Sequence, residues 1–314
     1  MFLNMENTIP LVSVVIPTYN HSSHLKQAVD SVLSQDYQNV ELIVLDDGST
    51  DNTRSILESY GDRFVWETQK NMGQPATLNK GWAMARGEIL AYLSADDLLL
   101  PQAVSKSVEC LLNNPDATLS YCDFDLIDPG SRVVRRVVAP EYNFHEMVTT
   151  FSCAPSAGAF FWRSAFVKTG GWNPDIRRFP DIDCWLRLGL HGRFVHIHEC
   201  LAAFRVHEGS QSFAETPVER AEEAITVIEN FYALPDLPAD VLAAKDRALG
   251  NARLLVAQLH LRSARYRSAV REIYAAAQLS PGCLVSVRSL RMLINGLFNR
   301  YLHKILWSMK AKKI

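Results

Sequence analysis

The feature that most constrains the fold is the alternation of short β-rich runs with longer helical patterns through the first hundred residues. The predicted strands are Leu11–Ile16, Glu41–Asp46, Phe64–Trp66 and Glu88–Leu93, and the predicted helices are Ser22–Ser34, Asp51–Tyr60 and Gln74–Ala85. Such alternation is typical of stacked βαβ units, which build a mostly parallel sheet with helices on its faces. The sequence therefore predicts an α/β fold.

Single residues predict where these elements begin and end. Pro17 is expected to stop the first strand, and Ser22 or Ser23 to cap the first helix. Asp51 is expected to cap the second helix, and Pro101 to start the helix that follows the fourth strand.

Polar side chains follow three of the four predicted strands. Residues 17–20 follow the first strand, Asp46 and Asp47 end the second, and Asp96 and Asp97 come just after the fourth. The carboxyl ends of parallel strands meet at one edge of a sheet, where ligands bind. We therefore expect these three clusters to converge on one site.

The adjacent acids suggest how such a site would work. Asp96 and Asp97 would raise each other's pKa, and a divalent cation resolves that conflict. Oxygen ligands suit Mg²⁺ or Mn²⁺, so the pair predicts a metal site, although a loop and helix cap before Pro101 is the alternative. Asp47 could accept hydrogen bonds from a base or ribose, or belong to a plain turn, while Tyr19 offers a flat face for stacking on a nucleobase.

A third acidic cluster stands at a predicted helix start. Asp181 and Asp183 precede an apolar helical pattern, where they would either cap the helix or supply a general base. His207 is a candidate metal or phosphate ligand, or a structural histidine.

The C-terminal part differs in pattern and in charge. From residue 213 helical patterns dominate, so we predict a catalytic domain over residues 1–212 and a helical region over 213–314, with the boundary near residues 209–216. Residues 247–314 contain thirteen Lys or Arg and one acid, whereas the whole chain has a net charge of −2. The basic, amphipathic tail from Leu284 predicts either peripheral contact with an anionic membrane or packing on the catalytic domain; nucleic acid is not an expected partner.

The six cysteines form no CxxC pair, and the sequence shows no signal peptide and no long apolar run. These features predict reduced thiols and a cytoplasmic location, at the inner face of the plasma membrane if the tail binds lipid.

Five segments together resemble glycosyltransferase family 2, whose members are inverting enzymes of the GT-A fold. They are VSVVIPTYN (12–20), ELIVLDDGSTDNT (41–53), NMGQPATLNKGWAMARGEILAYLSADD (71–97), TGGWNPDI (169–176) and PDIDCWLRL (180–188). The match covers about two thirds of the chain in the family's order and spacing. It implies a nucleotide-sugar half over residues 1–100 and an acceptor half over 101–212.

The resemblance assigns roles to individual positions. Pro17, Tyr19 and Asp47 match residues that hold the nucleotide base and its surroundings. Asp96 matches a ribose contact and Asp97 a ligand of the Mn²⁺ or Mg²⁺ ion that bridges the diphosphate. His207 matches a downstream histidine that contacts the metal or the diphosphate in some members, and Asp181 matches the catalytic base. The site residues that the resemblance implies are therefore Pro17, Tyr19, Asp47, Asp96, Asp97, Asp181 and His207.

Two positions depart from the family pattern. Ser94 stands where an acid is common, and Pro180 stands where Glu often precedes the base. The first departure puts more weight on Asp97 as metal ligand, and the second could change acceptor recognition.

The resemblance implies transfer of a sugar, with UDP the favoured nucleotide, to a glycan or lipid-linked acceptor in bacterial cell-surface polysaccharide synthesis. Two alternatives stay open: a sugar nucleotidyltransferase, which would need a basic glycine-rich loop after the first strand, and a non-catalytic sugar-nucleotide or glycan-binding protein.

Overall fold

The computed structural model describes residues 9–153, 155–207 and 216–310, with side chains described as far as Phe298. The chain divides into two compact units. The first unit comprises residues 1–142, 153–175 and 187–210, and the second comprises 143–152, 176–186 and 211–314. Segments 143–152 and 176–186 therefore group with the C-terminal helices. The predicted division at residue 212 stays a prediction, and residues 209–215 of the predicted boundary lie outside the described part.

The elements follow one another along the chain as β1 (Val12–Thr18), α1 (Ser22–Leu33), β2 (Val40–Asp46), α2 (Thr53–Glu58), β3 (Val65–Thr68), α3 (Gln74–Met84), β4 (Ile89–Tyr92), β5 (Leu98–Leu99) and α4 (Ala103–Asn113). Next come β6 (Ala117–Ile127), β7 (Val133–Val137), α5 (Phe144–Thr150), β8 (Phe160–Trp162), α6 (Arg163–Phe166), α7 (Pro180–Leu188) and β9 (Arg193–Arg205). The last helices are α8 (Val218–Tyr232), α9 (Ala239–Ala243), α10 (Lys245–Arg262), α11 (Tyr266–Leu279) and α12 (Val287–Lys310).

The strands of the first unit form one mixed sheet in the order β3-β2-β1-β4-β8-β6-β9-β5, with β7 paired to β6. The pairs β2–β3, β1–β2, β1–β4 and β6–β9 are parallel, and the remaining pairs are antiparallel. The α/β fold class is confirmed. The parallel end is the part that the alternating pattern of the first hundred residues predicts.

The core of the first unit forms because β1 is apolar on both faces and α1 has one apolar stripe. Val12, Val14 and Ile16 of β1 pack in the same core as Leu25 and Val29 of α1. A parallel strand that is covered on both faces is expected to be a continuous apolar run, and the sequence VSVVI fits that expectation.

The prediction that Pro17 ends the first strand is wrong. Pro17 pairs with Leu45 and the strand continues to Thr18. Val15 accepts a hydrogen bond from the Leu93 backbone N–H on the β4 side, and Pro17, two residues on, faces that same side. Since β4 pairs with β1 only as far as Val15, the missing N–H of Pro17 breaks no sheet hydrogen bond.

Three predicted helix starts also need correction. His21 is the N-cap of α1, and α2 begins at Thr53 after Asn52. The helix expected from Pro101 begins at Ala103, after Gln102 in a left-handed conformation. Local propensity places these helices but does not determine the residue at which each begins.

The second unit is helical, and α10 packs against α5, α8, α11 and α12. Its buried acids are used in structural contacts. Glu272 is buried and pairs with Arg253 and Arg271, and Glu223 accepts hydrogen bonds from the Arg177 and Arg178 backbone N–H groups. Among the described residues, no helix combines the length and apolar character needed to cross a bilayer.

Candidate active site

The loops that follow β1 and β2 are tied together by hydrogen bonds. The Asn20 backbone N–H donates to Ser49 Oγ at 2.9 Å, and the Thr50 N–H donates to Asn20 Oδ1 at 2.8 Å. The Ser22 N–H donates to Asp51 Oδ2 at 2.9 Å. The predicted convergence of these two strand ends is therefore present in the structure.

Asp47 shapes the loop that precedes α3. Its Oδ1 accepts hydrogen bonds from Gln69 Nε2 at 3.0 Å and the Met72 N–H at 2.9 Å, and its Oδ2 accepts from the Gly73 N–H at 2.8 Å. The side chain is buried. Gly48 follows with φ +83°, and a Cβ there would lie 3.0 Å from the Gln69 carbonyl oxygen, so the turn requires glycine.

The side chains that end β1 differ in what they offer a ligand. Pro17 is buried in the strand, whereas Tyr19 is 48% exposed and so presents its ring to solvent. Between them, the Thr18 hydroxyl is buried without a hydrogen-bond partner. Buried hydroxyls in proteins usually have a hydrogen-bond partner, so that of Thr18 is a candidate contact for a polar ligand.

Asp96 and Asp97 have different surroundings. Asp97 is 4% exposed, and its Oδ1 accepts a hydrogen bond from the Arg205 backbone N–H at 2.8 Å. Asp96 is partly buried, and its Oδ2 lies 2.9 Å from His207 Nε2. Burial raises the pKa of Asp97 well above its usual range, and the neighbouring Asp96 charge raises it further, while Arg205 opposes the shift.

The difference between the two acids follows the alternation of burial along the chain around them. From Ala91 to Leu100, buried and partly buried residues alternate one by one, although β4 ends at Tyr92. Asp97 shares the buried side with Leu93 and Leu99, and Asp96 lies on the other side.

Arg205 is a structural residue of this site that sequence reasoning missed. Its guanidinium is fully buried and donates from Nε to the Asp96 carbonyl oxygen at 2.7 Å. It also donates to the Asp128 carbonyl oxygen at 3.1 Å, to Ser131 Oγ at 2.9 Å and to Gln27 Oε1 at 2.8 Å. Because these partners come from three distant segments, no local pattern marks Arg205.

His21, Asp96 and His207 form a group that we call the strand-end cluster. One ligand atom from each residue lies within 4.8 Å of the other two. The ring of His24 lies 5.9 Å from that of His207; burial lowers the pKa of His24, and the Arg205 and His207 charges lower it further. Two imidazole nitrogens and one carboxylate oxygen fit a divalent transition metal such as Mn²⁺ better than Mg²⁺, which takes oxygen ligands.

Asp181 lies in the second unit. It stands in the first turn of α7, as the sequence predicts, and it is partly buried. Burial raises the pKa of its carboxyl, and backbone hydrogen bonds from Ile182 and Asp181 oppose the shift. The side chain thus has a higher proton affinity than an exposed aspartate.

Comparison with known proteins decides the family, because the model of glycosyl transferase family 2 matches residues 13–169. The chain belongs to glycosyltransferase family 2. An uncharacterized glycosyltransferase of Rickettsia typhi is 31% identical over 223 residues, which cover 68% of this chain and 69% of the relative. A hyaluronan synthase of Pasteurella multocida is 29% identical over 225 residues, covering 70% of this chain and 23% of the synthase.

Solved structures confirm that the fold is GT-A-like. Residues 1–349 of S. aureus TarS superpose with a TM-score of 0.63 at 16% identity, covering 91% of this chain and 89% of that one. A mannosyltransferase of Pyrobaculum calidifontis, in complex with GDP-Man and Mn²⁺, superposes with a TM-score of 0.62 at 17% identity, covering 96% and 88%. At these identities the likeness supports the fold of this family member and no finer property.

Proposed function

We propose that this family 2 glycosyltransferase is an inverting, metal-dependent enzyme that transfers a sugar from a UDP-sugar to a hydroxyl of a glycan or lipid-linked glycan in bacterial cell-surface polysaccharide synthesis. The observation that carries the proposal is the strand-end cluster, a group of metal-ligating atoms that includes His21, which follows the exposed Tyr19 by two residues. S. aureus TarS in complex with UDP-GlcNAc and the mannosyltransferase with GDP-Man and Mn²⁺ support donors of this class.

In this proposal Asp96 and His207 hold the metal, with His21 as a further ligand. The family resemblance favours Asp97 as the metal ligand. We assign that role to Asp96 because Asp97 is buried and one of its oxygens accepts a hydrogen bond from the Arg205 backbone N–H. Asp97 then supports the loop that presents Asp96. When bound, the metal neutralises negative charge on the diphosphate.

For the nucleotide, Tyr19 is the proposed stacking surface for the base, because it is the exposed ring at the end of β1. Asp47 acts mainly through the loop 69–73 that it holds, since its two oxygens already accept three hydrogen bonds. Pro17, buried in β1, supports the loop that carries Tyr19. The Thr18 hydroxyl is available for a ligand or water.

We assign the general base to Asp181 on the strength of its motif and its place at the start of α7. Its carboxylate takes the proton of the acceptor hydroxyl while the acceptor oxygen bonds to the anomeric carbon. The bond from that carbon to the diphosphate oxygen breaks on the opposite face, so the configuration inverts and a nucleoside diphosphate leaves. Because burial raises the pKa of Asp181, transfer should fall with decreasing pH earlier than with an exposed aspartate.

The proposal is tested by measuring donor binding and sugar transfer separately. UDP-glucose, UDP-galactose, UDP-GlcNAc and GDP-mannose are screened by thermal shift with Mn²⁺ or with EDTA, since a ligand that binds the native state raises its stability. We expect one UDP-sugar to shift the melting temperature only with Mn²⁺. Asp181→Asn should keep this shift and lower transfer by about 10²- to 10⁴-fold.

Asp240→Asn is the matched control, because Asp240 is an exposed acid in the first turn of another helix of the second unit. It should leave transfer unchanged. Normal turnover by Asp181→Asn would contradict the assignment of the base. Donor binding without transfer or hydrolysis by the wild type would favour a sugar-nucleotide-binding protein, and release of pyrophosphate from a triphosphate would favour a nucleotidyltransferase.

A cytoplasmic location and peripheral membrane contact through the basic tail stay predictions. Val287, Leu290 and Phe298 of α12 are exposed, which gives lipid an apolar surface to contact, and vesicle flotation of the full chain would test that contact.

A further inference from the structure

A second group of metal-ligating side chains lies on the sheet of the first unit, outside the strand-end cluster. Glu141, His196 and His198 each place one ligand atom within 4.8 Å of the other two, and we call them the sheet-face cluster. His196 and His198 are alternate residues of β9, and their ring centroids are 4.3 Å apart. Glu141 comes from the segment that follows β7. No step of the proposed reaction uses these residues.

The backbone of β9 is irregular at this place. Tyr121 of β6 pairs with His196 and Cys122 with Ile197, but the next residue, Asp123, pairs with Cys200. His198 and Glu199 therefore have no opposite residue in this register, which is a bulge in β9. Bulges of this kind change the direction of a side chain and are common at functional sites.

The buried side of the cluster holds His196 in one orientation. Its Nε2 lies 2.7 Å from Asp123 Oδ1, and Asp123 also accepts the Ala139 N–H at 2.9 Å. The ring stacks on Tyr121 at 4.9 Å with an interplanar angle of 5°. The Tyr121 hydroxyl donates to the Pro140 carbonyl oxygen at 2.7 Å, which ties the residue before Glu141 to the same support.

These contacts determine which nitrogen of His196 faces outward as an acceptor. An ionised Asp123 can only accept, so His196 Nε2 carries the proton and Nδ1 of the neutral ring has a lone pair. That Nδ1 lies 3.0 Å from Glu141 Oε1, which is also an acceptor. Two acceptors at this distance require a proton or a metal ion between them.

His198 favours the metal ion. Its Nε2 lies 3.5 Å from the same Glu141 oxygen. A shared proton needs only two acceptor atoms, His196 Nδ1 and Glu141 Oε1, whereas a metal ion would also use this third atom. A histidine ligand that donates its other N–H to a carboxylate is the usual support of a metal-bound imidazole. Here Asp123 provides that support from the buried side.

We propose that Glu141, His196 and His198 bind a divalent transition-metal ion of the Zn²⁺ class. Two imidazole nitrogens and a carboxylate oxygen are ligands that Zn²⁺ takes, with water in the fourth position. The His198 and Glu141 side chains are 70% and 72% exposed, so the ion enters from solvent and retains a water ligand. The bound ion links β9 to the segment after β7.

The test is calorimetric titration of the metal-free full chain with Zn²⁺, repeated with Co²⁺ while visible absorption is recorded. His198→Ala and Glu141→Gln change exposed side chains and should preserve the fold, as circular dichroism would verify. Each variant should bind one Zn²⁺ equivalent fewer, or bind it with an affinity lowered by more than about 100-fold. Loss of a residue that only hydrogen-bonds a metal ligand costs roughly 10- to 100-fold in affinity. Each should also remove the corresponding Co²⁺ absorption.

Two further variants separate this site from others. His207→Ala affects the strand-end cluster and should leave the sheet-face equivalent intact. His145→Ala, an exposed histidine of α5, should change neither equivalent. If wild type, His198→Ala and Glu141→Gln bound Zn²⁺ with the same stoichiometry and affinity, the proposal would be overturned. A proton, and not a metal ion, would then lie between His196 and Glu141. An equal loss with His145→Ala would also overturn it, as non-specific binding.

Discussion

The strand-end cluster and the sheet-face cluster each contain two histidines and one carboxylate, but different kinds of backbone structure carry them. His21, Asp96 and His207 lie on loops or segments that follow strands, and all three are partly buried. In the sheet-face cluster His196 is buried in a strand, whereas His198 is exposed. We therefore expect residues of similar ligand chemistry to serve different purposes in the two clusters.

The difference follows from the backbone that carries each cluster. Loops at strand ends can surround a ligand from several sides, so the strand-end cluster suits a substrate that must be enclosed. Neighbouring strands keep side chains at set spacings on one face, so the sheet-face cluster suits a small ion that retains contact with water. The comparison predicts that, of the two clusters, only the strand-end cluster is needed for catalysis.

The largest expected effect separates the two carboxylates by activity. Asp96→Asn should lower sugar transfer by about 10²- to 10³-fold, because it removes a carboxylate proposed to hold the metal that would neutralise negative charge on the leaving diphosphate. Glu141→Gln should leave the transfer rate unchanged. Initial rates with saturating donor and Mn²⁺ measure both, and a similar loss in the two variants would make the clusters parts of one functional site.

The next prediction concerns the support behind the strand-end cluster. Arg205→Met should lower the free energy of unfolding by about 3–5 kcal/mol, because a buried guanidinium with several acceptors is lost and those acceptors stay buried. Arg136→Met is the matched control, since that guanidinium is 61% exposed, whereas its partner Asp125 has a side chain that is 9% exposed. Its loss should cost less, because the exposed guanidinium is largely solvated.

Urea denaturation of both variants measures these costs. If Arg205→Met were no less stable than Arg136→Met, the buried guanidinium would not be the support of the Asp96 backbone.

The smallest effect is a change in the pH dependence of stability. Burial raises the pKa of Asp97 in the folded state, so its stabilising effect is full below the unfolded pKa and is lost as pH rises through the folded pKa. Asp97→Asn removes this titration. Its stability relative to wild type should therefore increase with pH above about 4.

Asp125→Asn provides a control of opposite sign. The hydrogen bond from Arg136 lowers the pKa of Asp125 in the folded state, so this carboxylate stabilises the fold above its unfolded pKa. Asp125→Asn should therefore lose stability relative to wild type as pH rises toward about 4. Urea denaturation across pH 3–8 measures both variants. An Asp97→Asn stability difference that is constant with pH would show that Asp97 stays ionised without cost.

The sheet itself shows how far local patterns predict this fold. The alternation of apolar runs and amphipathic helices predicts β1, β2, β3 and β4 and the helices between them, because both periods are local properties of the chain. The antiparallel pairing of β8 with β4 and β6 is not predicted, because Phe160–Trp162 is a short apolar run whose partners lie far away in sequence.

The candidate site divides in the same way. Residue type and periodicity are enough to predict that acids follow β2 and β4, that Tyr19 follows β1 and that Asp181 begins a helix. Tertiary packing is needed to show that Asp97 is bonded to the Arg205 backbone N–H while Asp96 faces His207, and that Glu141 lies beside His196. Those contacts join residues 55 to 111 positions apart, and only the packed sheet brings them together.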